Sequence, residues 1–188
     1  MLGGPGAGKG TQAKRITRAL SIPWISTGDL LYRAIEAHTP LGNAVRPLVE
    51  KGELIDDSTM IDLMRDRLQK PDAQRGWLLD GYPRTAFQAE ELDFLLDDIH
   101  QQVDCAIWLD VPKPTLIARS LGRSRSDDNP EAVERRIELL YERTVPILDY
   151  YDYRKKLIRV DGSRPPDEVA AEIQSKLPNP SASASTGS

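Results

Sequence analysis

Short apolar runs alternate with segments of helical periodicity along this 188-residue chain. Trp24-Ile25, Trp77-Leu78-Leu79, residues 105–109 and residues 157–160 carry the apolar, β-prone character of buried strands. The second of these closes on Asp80 and the third on Asp110. Between them, apolar positions recur at three- and four-residue intervals, which predicts helices over 9–20, 29–37, 41–51, 58–69, 85–99, 112–122, 130–153 and 166–177. Strands that alternate with helices predict a parallel sheet with helices on both faces, a three-layer α/β/α fold of about five strands. The helix over 130–153 has the clearest start. Asn129 can cap it, Pro130 suits the first helical position, and Glu131 complements the dipole. Pro146 should kink it. Residues 178–188 are Ser, Ala, Pro, Gly, Asn and Thr, with nothing to bury, and are expected to be a disordered tail.

The opening of the chain carries the most chemistry. Gly3-Gly4-Pro5-Gly6-Ala7-Gly8-Lys9-Gly10-Thr11 has the spacing of a phosphate-cradling P-loop. Glycines let successive backbone N–H groups turn inward around one anion. The following helix points its positive end at the same place. Lys9 adds a full charge for the β- and γ-phosphates of a nucleoside triphosphate. Gly10 stands where most such loops carry the magnesium-binding hydroxyl, and Thr11 supplies that hydroxyl one position later. Gly4, Gly6, Ala7, Gly8, Lys9, Gly10 and Thr11 are therefore the candidate triphosphate-binding residues. A buried strand normally leads into such a loop and takes about five residues. Only Met1 and Leu2 precede Gly3. Either the natural start lies upstream of Met1 or a truncated first strand anchors the loop.

Composition narrows the class without changing it. Hydrophobic residues make up 39% and charged residues 29% of the chain, as expected of a globular domain able to bury a core. The net charge of −4 argues against nucleic acid as the main partner. It leaves phosphate binding open, because that depends on local cations. The single cysteine, Cys105, sits in an apolar run and reads as a small buried hydrophobe. An intramolecular disulfide is excluded, which fits a reducing cytoplasm. His38 and His100 fall near predicted helix ends and read as surface residues. No apolar stretch reaches membrane-spanning length, and no signal peptide is expected.

Two further clusters fit a reaction between phosphates. Ser26-Thr27-Gly28-Asp29-Leu30-Leu31 opens a helix after a short strand. Asp80-Gly81-Tyr82-Pro83-Arg84-Thr85 follows another, with Gln88 about one turn beyond. Asp80 at a strand end can hold a magnesium ion, mostly through water. Arg84 can fork onto a phosphate. Gln88 can donate and accept in one plane, which suits the edge of a base. Each residue has a plainer alternative when taken singly: a helix cap, a surface ion pair, a solvated amide. Arg119, Arg123, Arg125 and Arg136 surround Asp127-Asp128-Asn129. These guanidiniums suit a triphosphate, and equally suit a solvated charged face paired with the aspartates.

Together these pieces resemble the adenylate kinase family, the nucleoside monophosphate kinases that convert ATP and AMP to two ADP. The resemblance covers residues 3–177. It implies one P-loop kinase domain over 1–177, with a helical monophosphate-binding flap at about 27–70 and a lid loop at about 123–129. It implies Mg2+ with ATP as cofactor, ATP and AMP as partners, and a monomer. Thr27, Ile55, Gly81, Arg84 and Gln88 correspond to the family's AMP site, with Arg125 and Arg136 on phosphates. Thr27, Thr85 and Gln88 favour adenine over pyrimidine. Arg119 and Arg123 correspond to residues on ATP, and residues 160–164, ending in Arg164, to the adenine-side loop. The implied catalytic set is Lys9, Arg84, Arg119, Arg125 and Arg136. Long members of the family carry a separate lid between the positions of Arg123 and Arg125; here only Ser124 stands there, so the lid is minimal. Tyr32 occupies the position of a family arginine on the AMP phosphate, which implies weakened AMP binding. The alternatives are a kinase for another nucleoside monophosphate, or a weakly catalytic nucleotide-binding paralogue with a regulatory role.

Overall fold

The computed structural model describes residues 1–123 and 129–178. Its strands are β1 (Trp24–Ser26), β2 (Leu78–Asp80), β3 (Ala106–Asp110) and β4 (Leu157–Asp161). Its helices are α1 (Lys9–Leu20), α2 (Thr27–Glu36), α3 (Pro40–Lys51), α4 (Asp57–Leu68), α5 (Ala86–Asp98), α6 (Lys113–Leu121), α7 (Pro130–Leu139), α8 (Pro146–Tyr153) and α9 (Pro166–Lys176). Each lies within a residue or two of the element its apolar pattern predicts, except the long helix over 130–153.

All pairings are parallel. β1 pairs with β2, Trp24 opposite Leu78 and Ser26 opposite Asp80. β3 pairs with β4, Ala106 opposite Leu157 and Asp110 opposite Asp161. The two pairs are joined by the chain's first two residues. Leu2 forms a parallel bridge to Trp108. Its N–H donates to Ile107 O at 2.7 Å, and its carbonyl accepts from Leu109 N at 3.0 Å. On the other side the Met1 nitrogen donates to Leu79 O at 2.6 Å. Leu2 ties the loop to the sheet: among the described residues there are four strands, with Leu2 bridging in the central position. Leu2, Leu79, Ile107, Trp108 and Leu109 are all buried, as a sheet covered on both faces requires.

The expected single helix over 130–153 is divided. Leu140–Thr144 forms a π-helical turn, with Val145 N donating to Leu140 O at 2.8 Å, and Pro146 then opens α8. Proline has no N–H to donate, and its ring collides with the carbonyl four residues back in an α-helix. A widened turn relieves that collision and ends the first helix early. The other end follows the expectation: Asn129 Oδ1 accepts from Ala132 N at 2.8 Å.

Between β1 and β2 the chain leaves the sheet as α2, α3 and α4. The capping side chains Ser26, Thr39 and Asp56 each accept from an N–H in the first turn of the following helix. Asp56 accepts from Ser58 Oγ, Thr59 N and Thr59 Oγ1, which holds its carboxyl down at about 2. α2 and α3 touch backbone to backbone at Gly42, where a Cβ would lie 2.0 Å from Ala34 O and 2.2 Å from its carbonyl carbon. At the exit of α3, Glu53 meets Arg135 of α7 in a two-pronged pair, at 2.8 and 3.2 Å. The expectations for a disordered tail over 178–188 and a lid loop at 123–129 fall almost entirely outside the described residues.

Gly42→Ala should therefore force α3 away from α2. Overpacking against fixed backbone costs about 1–3 kcal/mol. The expected result is a melting temperature lower by on the order of 5 °C, read by circular dichroism.

Candidate active site

The carboxyl ends of the strands open onto a cavity of about 930 Å³. Such a crevice at the C-terminal edge of a parallel sheet is where α/β folds bind ligands. Gly3, Pro5, Gly6, Ala7, Gly8, Lys9, Gly10 and Thr11 form its floor. The loop turns through left-handed backbone at Gly6 (φ 78°) and at Gly8 (φ 93°), the residue that caps α1. At Gly6 a Cβ would also lie 2.7 Å from Leu116 O, so neither the angle nor the space admits a side chain. Gly4 is buried on the side of the loop away from the cavity opening, where a Cβ would lie 2.6 Å from Leu116 Cδ1 and 3.1 Å from Leu140 Cδ2. The Lys9 ammonium donates to Gly3 O and Gly4 O, each at 2.9 Å, so the loop holds its cation folded back over the floor.

Arg84, Arg119, Arg123, Arg136 and Arg164 line the same cavity. Arg119 donates to Gly162 O at 2.8 Å and Ser163 O at 3.0 Å, which ties α6 to the loop after β4. Arg164 pairs with Glu172. Arg84 Nε donates to Gly81 O at 2.8 Å. Burial pulls the Arg84 guanidinium below its ordinary pKa, neighbouring Asp80 opposes the shift, and Arg136 adds to it. Arg125, predicted with this cluster, lies outside the described residues. Asp80 ends β2 and is buried at the cavity wall, where its main-chain carbonyl accepts from Thr27 Oγ1 at 3.3 Å.

A smaller cavity of about 120 Å³ meets the first. The two share Gly81, Arg84 and Arg136 in their linings. Thr27, Tyr32, Ile55 and Gln88 complete the predicted set around it. Tyr32 faces this pocket, whereas Arg33, one position on, is exposed. Of the seven buried polar residues among the described ones, Thr27, Asp80, Gln88 and Thr144 lie along one cavity or the other, whereas Gln12, Thr17 and Ser120 do not. Buried polar groups are costly unless they are satisfied, so four gathered here are consistent with a site.

Several residues escaped the sequence reading. Thr144, in the π-helical turn, donates to Arg84 O at 3.0 Å. Trp24 reaches the main cavity against Gly10, although its apolar character marks it only as strand. Lys14 and Arg15 add cations to the rim from α1, a position visible in their spacing after Lys9. Asp57, at the start of α4, accepts from Gln88 Nε2 at 2.8 Å and Thr85 Oγ1 at 3.2 Å. Nothing in the local pattern marks that contact, because Asp57 and Gln88 are 31 residues apart.

The family model described as Adenylate kinase matches residues 1–156. The chain belongs to the adenylate kinase family. It is 53% identical over 173 residues to "Adenylate kinase 2" of Nostoc sp. (strain PCC 7120), covering 92% of this chain and 94% of that one. It is 47% identical over 177 residues to "Adenylate kinase 2" of Synechocystis sp. (strain PCC 6803), covering 94% and 98%. It is 42% identical over 181 residues to "Adenylate kinase" of Xanthomonas axonopodis pv. citri, covering 94% and 97%. The family resemblance drawn from the motifs is thus borne out, and with it a phosphotransferase of the nucleoside monophosphate kinase type. Among the described residues no helix is long and apolar enough to cross a membrane.

Lys9→Met tests the loop cation directly. The substitution keeps the length of the side chain and removes its charge and its two bonds to loop carbonyls. Turnover should fall by a factor on the order of 10³, with the melting temperature within a few degrees of wild type. Wild-type turnover from this variant would remove Lys9 from the chemistry.

Proposed function

We propose that ATP occupies the main cavity and AMP the smaller one, and that the γ-phosphoryl group passes between them to give two ADP. The observation that carries this reading is the shared wall. Arg84 and Arg136 line both cavities, so the same guanidiniums can face two phosphate chains laid end to end. In this reading Lys9 and the loop amides hold the β- and γ-phosphates. Arg119 and Arg123 stand along the same chain of phosphates; Arg125, proposed to act with them, lies outside the described residues. The Arg164 loop borders the ATP base, and Gln88 and Thr27 border the AMP base. Residues 27–70 act as the acceptor flap and 123–129 as a small lid, which together shut out water that would otherwise hydrolyse ATP.

An AMP phosphate oxygen already offers a lone pair at neutral pH, so the site needs no strong base. That oxygen forms a bond to the γ-phosphorus as the bond to the β–γ bridging oxygen breaks, and ADP leaves with the electron pair. Negative charge spreads over the transferring oxygens, and the fixed cations stabilise it there. The donor set also fits Mg2+. Thr11 and the buried Asp80 line the main cavity, yet no group of three or more His, Cys, Asp or Glu side chains gathers among the described residues. One carboxylate and one hydroxyl, completed by water and phosphate oxygens, suit a small cation that keeps its hydration. Bound there with ATP, Mg2+ would neutralise phosphate charge. A monomer working in the cytoplasm completes the reading.

Tyr32 sets the acceptor strength. A phenol gives one neutral hydrogen bond, whereas a guanidinium on a phosphate contributes about 1.5–3 kcal/mol. Weak AMP binding follows, and with it room for another acceptor. A coupled assay of ADP formation across AMP, dAMP, GMP, CMP and UMP should rank AMP first. Tyr32→Arg should lower KM for AMP by roughly ten- to a hundredfold, with KM for ATP unchanged. A KM for AMP that stays the same or rises would remove Tyr32 from the phosphate.

A further inference from the structure

Gln88 offers the smaller cavity an acceptor and a donor, and a free carboxamide can offer them in either order. Turning it over exchanges oxygen and nitrogen at almost no cost in shape. The order matters to a purine. A 6-amino purine presents a donor beside a bare ring nitrogen, and a 6-oxo purine presents an acceptor beside a ring N–H. One carboxamide orientation serves the first and the reverse serves the second.

In this chain both ends of the carboxamide are held. The Arg84 backbone N–H, which can only donate, reaches Gln88 Oε1 at 2.8 Å. The Asp57 carboxylate accepts from Gln88 Nε2 at 2.8 Å. The same Asp57 oxygen accepts from Thr85 Oγ1 at 3.2 Å, and Thr85 Oγ1 in turn accepts from Gln88 N at 3.1 Å. Gln88 is 2% exposed and lines the cavity. Reversing the amide would set its oxygen against a carboxylate and its NH2 against an N–H, which leaves buried groups opposed. Arg84 alone provides half of that constraint, and Asp57 doubles it with a formal charge. We propose that Asp57 is a positioning residue for base discrimination: through Gln88 it makes the cavity select a 6-amino purine monophosphate over its 6-oxo counterpart. This rests on the assignment of AMP to the smaller cavity.

The test compares AMP with IMP, which has the same outline, in a coupled ADP assay with ATP as donor. Asp57→Ala should lower kcat/KM for AMP about tenfold, mostly through KM, while IMP holds or improves, so the AMP-to-IMP ratio falls tenfold or more. KM for ATP should not move. Asp57→Asn keeps an acceptor oxygen and should recover the ratio to within about threefold of wild type. A helix N1 position tolerates serine, so Asp57→Ser, too short to reach Gln88, repeats the test if the alanine variant melts early. Equal losses for AMP and IMP would reduce Asp57 to a structural role and overturn the proposal, as would an unchanged ratio. A wild-type enzyme that makes no ADP from AMP would instead sink the site assignment itself.

Discussion

Everything at this site hangs from the backbone pairing just ahead of the phosphate loop. A P-loop works only if its amides and its lysine are held at a fixed distance from the sheet, and here Met1 and Leu2 make that connection. Its N–H and carbonyl are both spent on β3, and Met1 reaches back to β2. Pairing on both sides fixes this segment in the sheet just before the loop departs. Burial of Leu2 among Leu79, Ile107 and Leu109 keeps water from competing for those bonds. The loop's first glycine therefore leaves the sheet from a defined point, and α1 follows with its positive end facing the cavity.

The chain is acidic overall, with a net charge of −4, yet the cavity is not. Lys9, Lys14, Arg15, Arg84, Arg119, Arg123, Arg136 and Arg164 line it, against Asp29 and Asp80. Net charge describes solubility and long-range approach, and the site is governed by what lies within a Debye length. Several of these cations are already engaged with backbone oxygen: Lys9 with the loop, Arg119 with residues 162 and 163, Arg84 with Gly81. The carbonyls lower the mutual repulsion of the cluster while leaving formal charge to meet an anion.

The fold was legible because its elements are short, strongly patterned and well capped. Asn129, Pro130 and the alternation of apolar runs state their structure locally. The phosphate loop was legible for the same reason: its chemistry lies in consecutive residues. Failures came where distant segments decide. The division of the helix over 130–153 depends on Pro146, which predicts a disturbance but not whether a kink or a π turn absorbs it. Gly4 has the sequence character of its neighbours, and only its packing on Leu116 and Leu140 tells it apart from them. The Asp57–Gln88 contact joins two elements with an entire strand and turn between them. Gln88 stood out in the sequence as suited to the edge of a base, whereas its contact with Asp57 did not.

Arg135 and Arg136 are adjacent on α7 and have different tasks. The first grips Glu53 where α3 ends, and the second faces both cavities. The footing of α2–α4 and the placement of a guanidinium that lines both cavities thus share one helical turn. The Glu53 pair is partly open to solvent, so dissolved ions weaken it readily. Arg84 is pinned deeper, by Gly81 and by the hydroxyl of Thr144 on its carbonyl. Rising ionic strength therefore weakens the tie between the end of α3 and α7 before it reaches the contacts that hold Arg84.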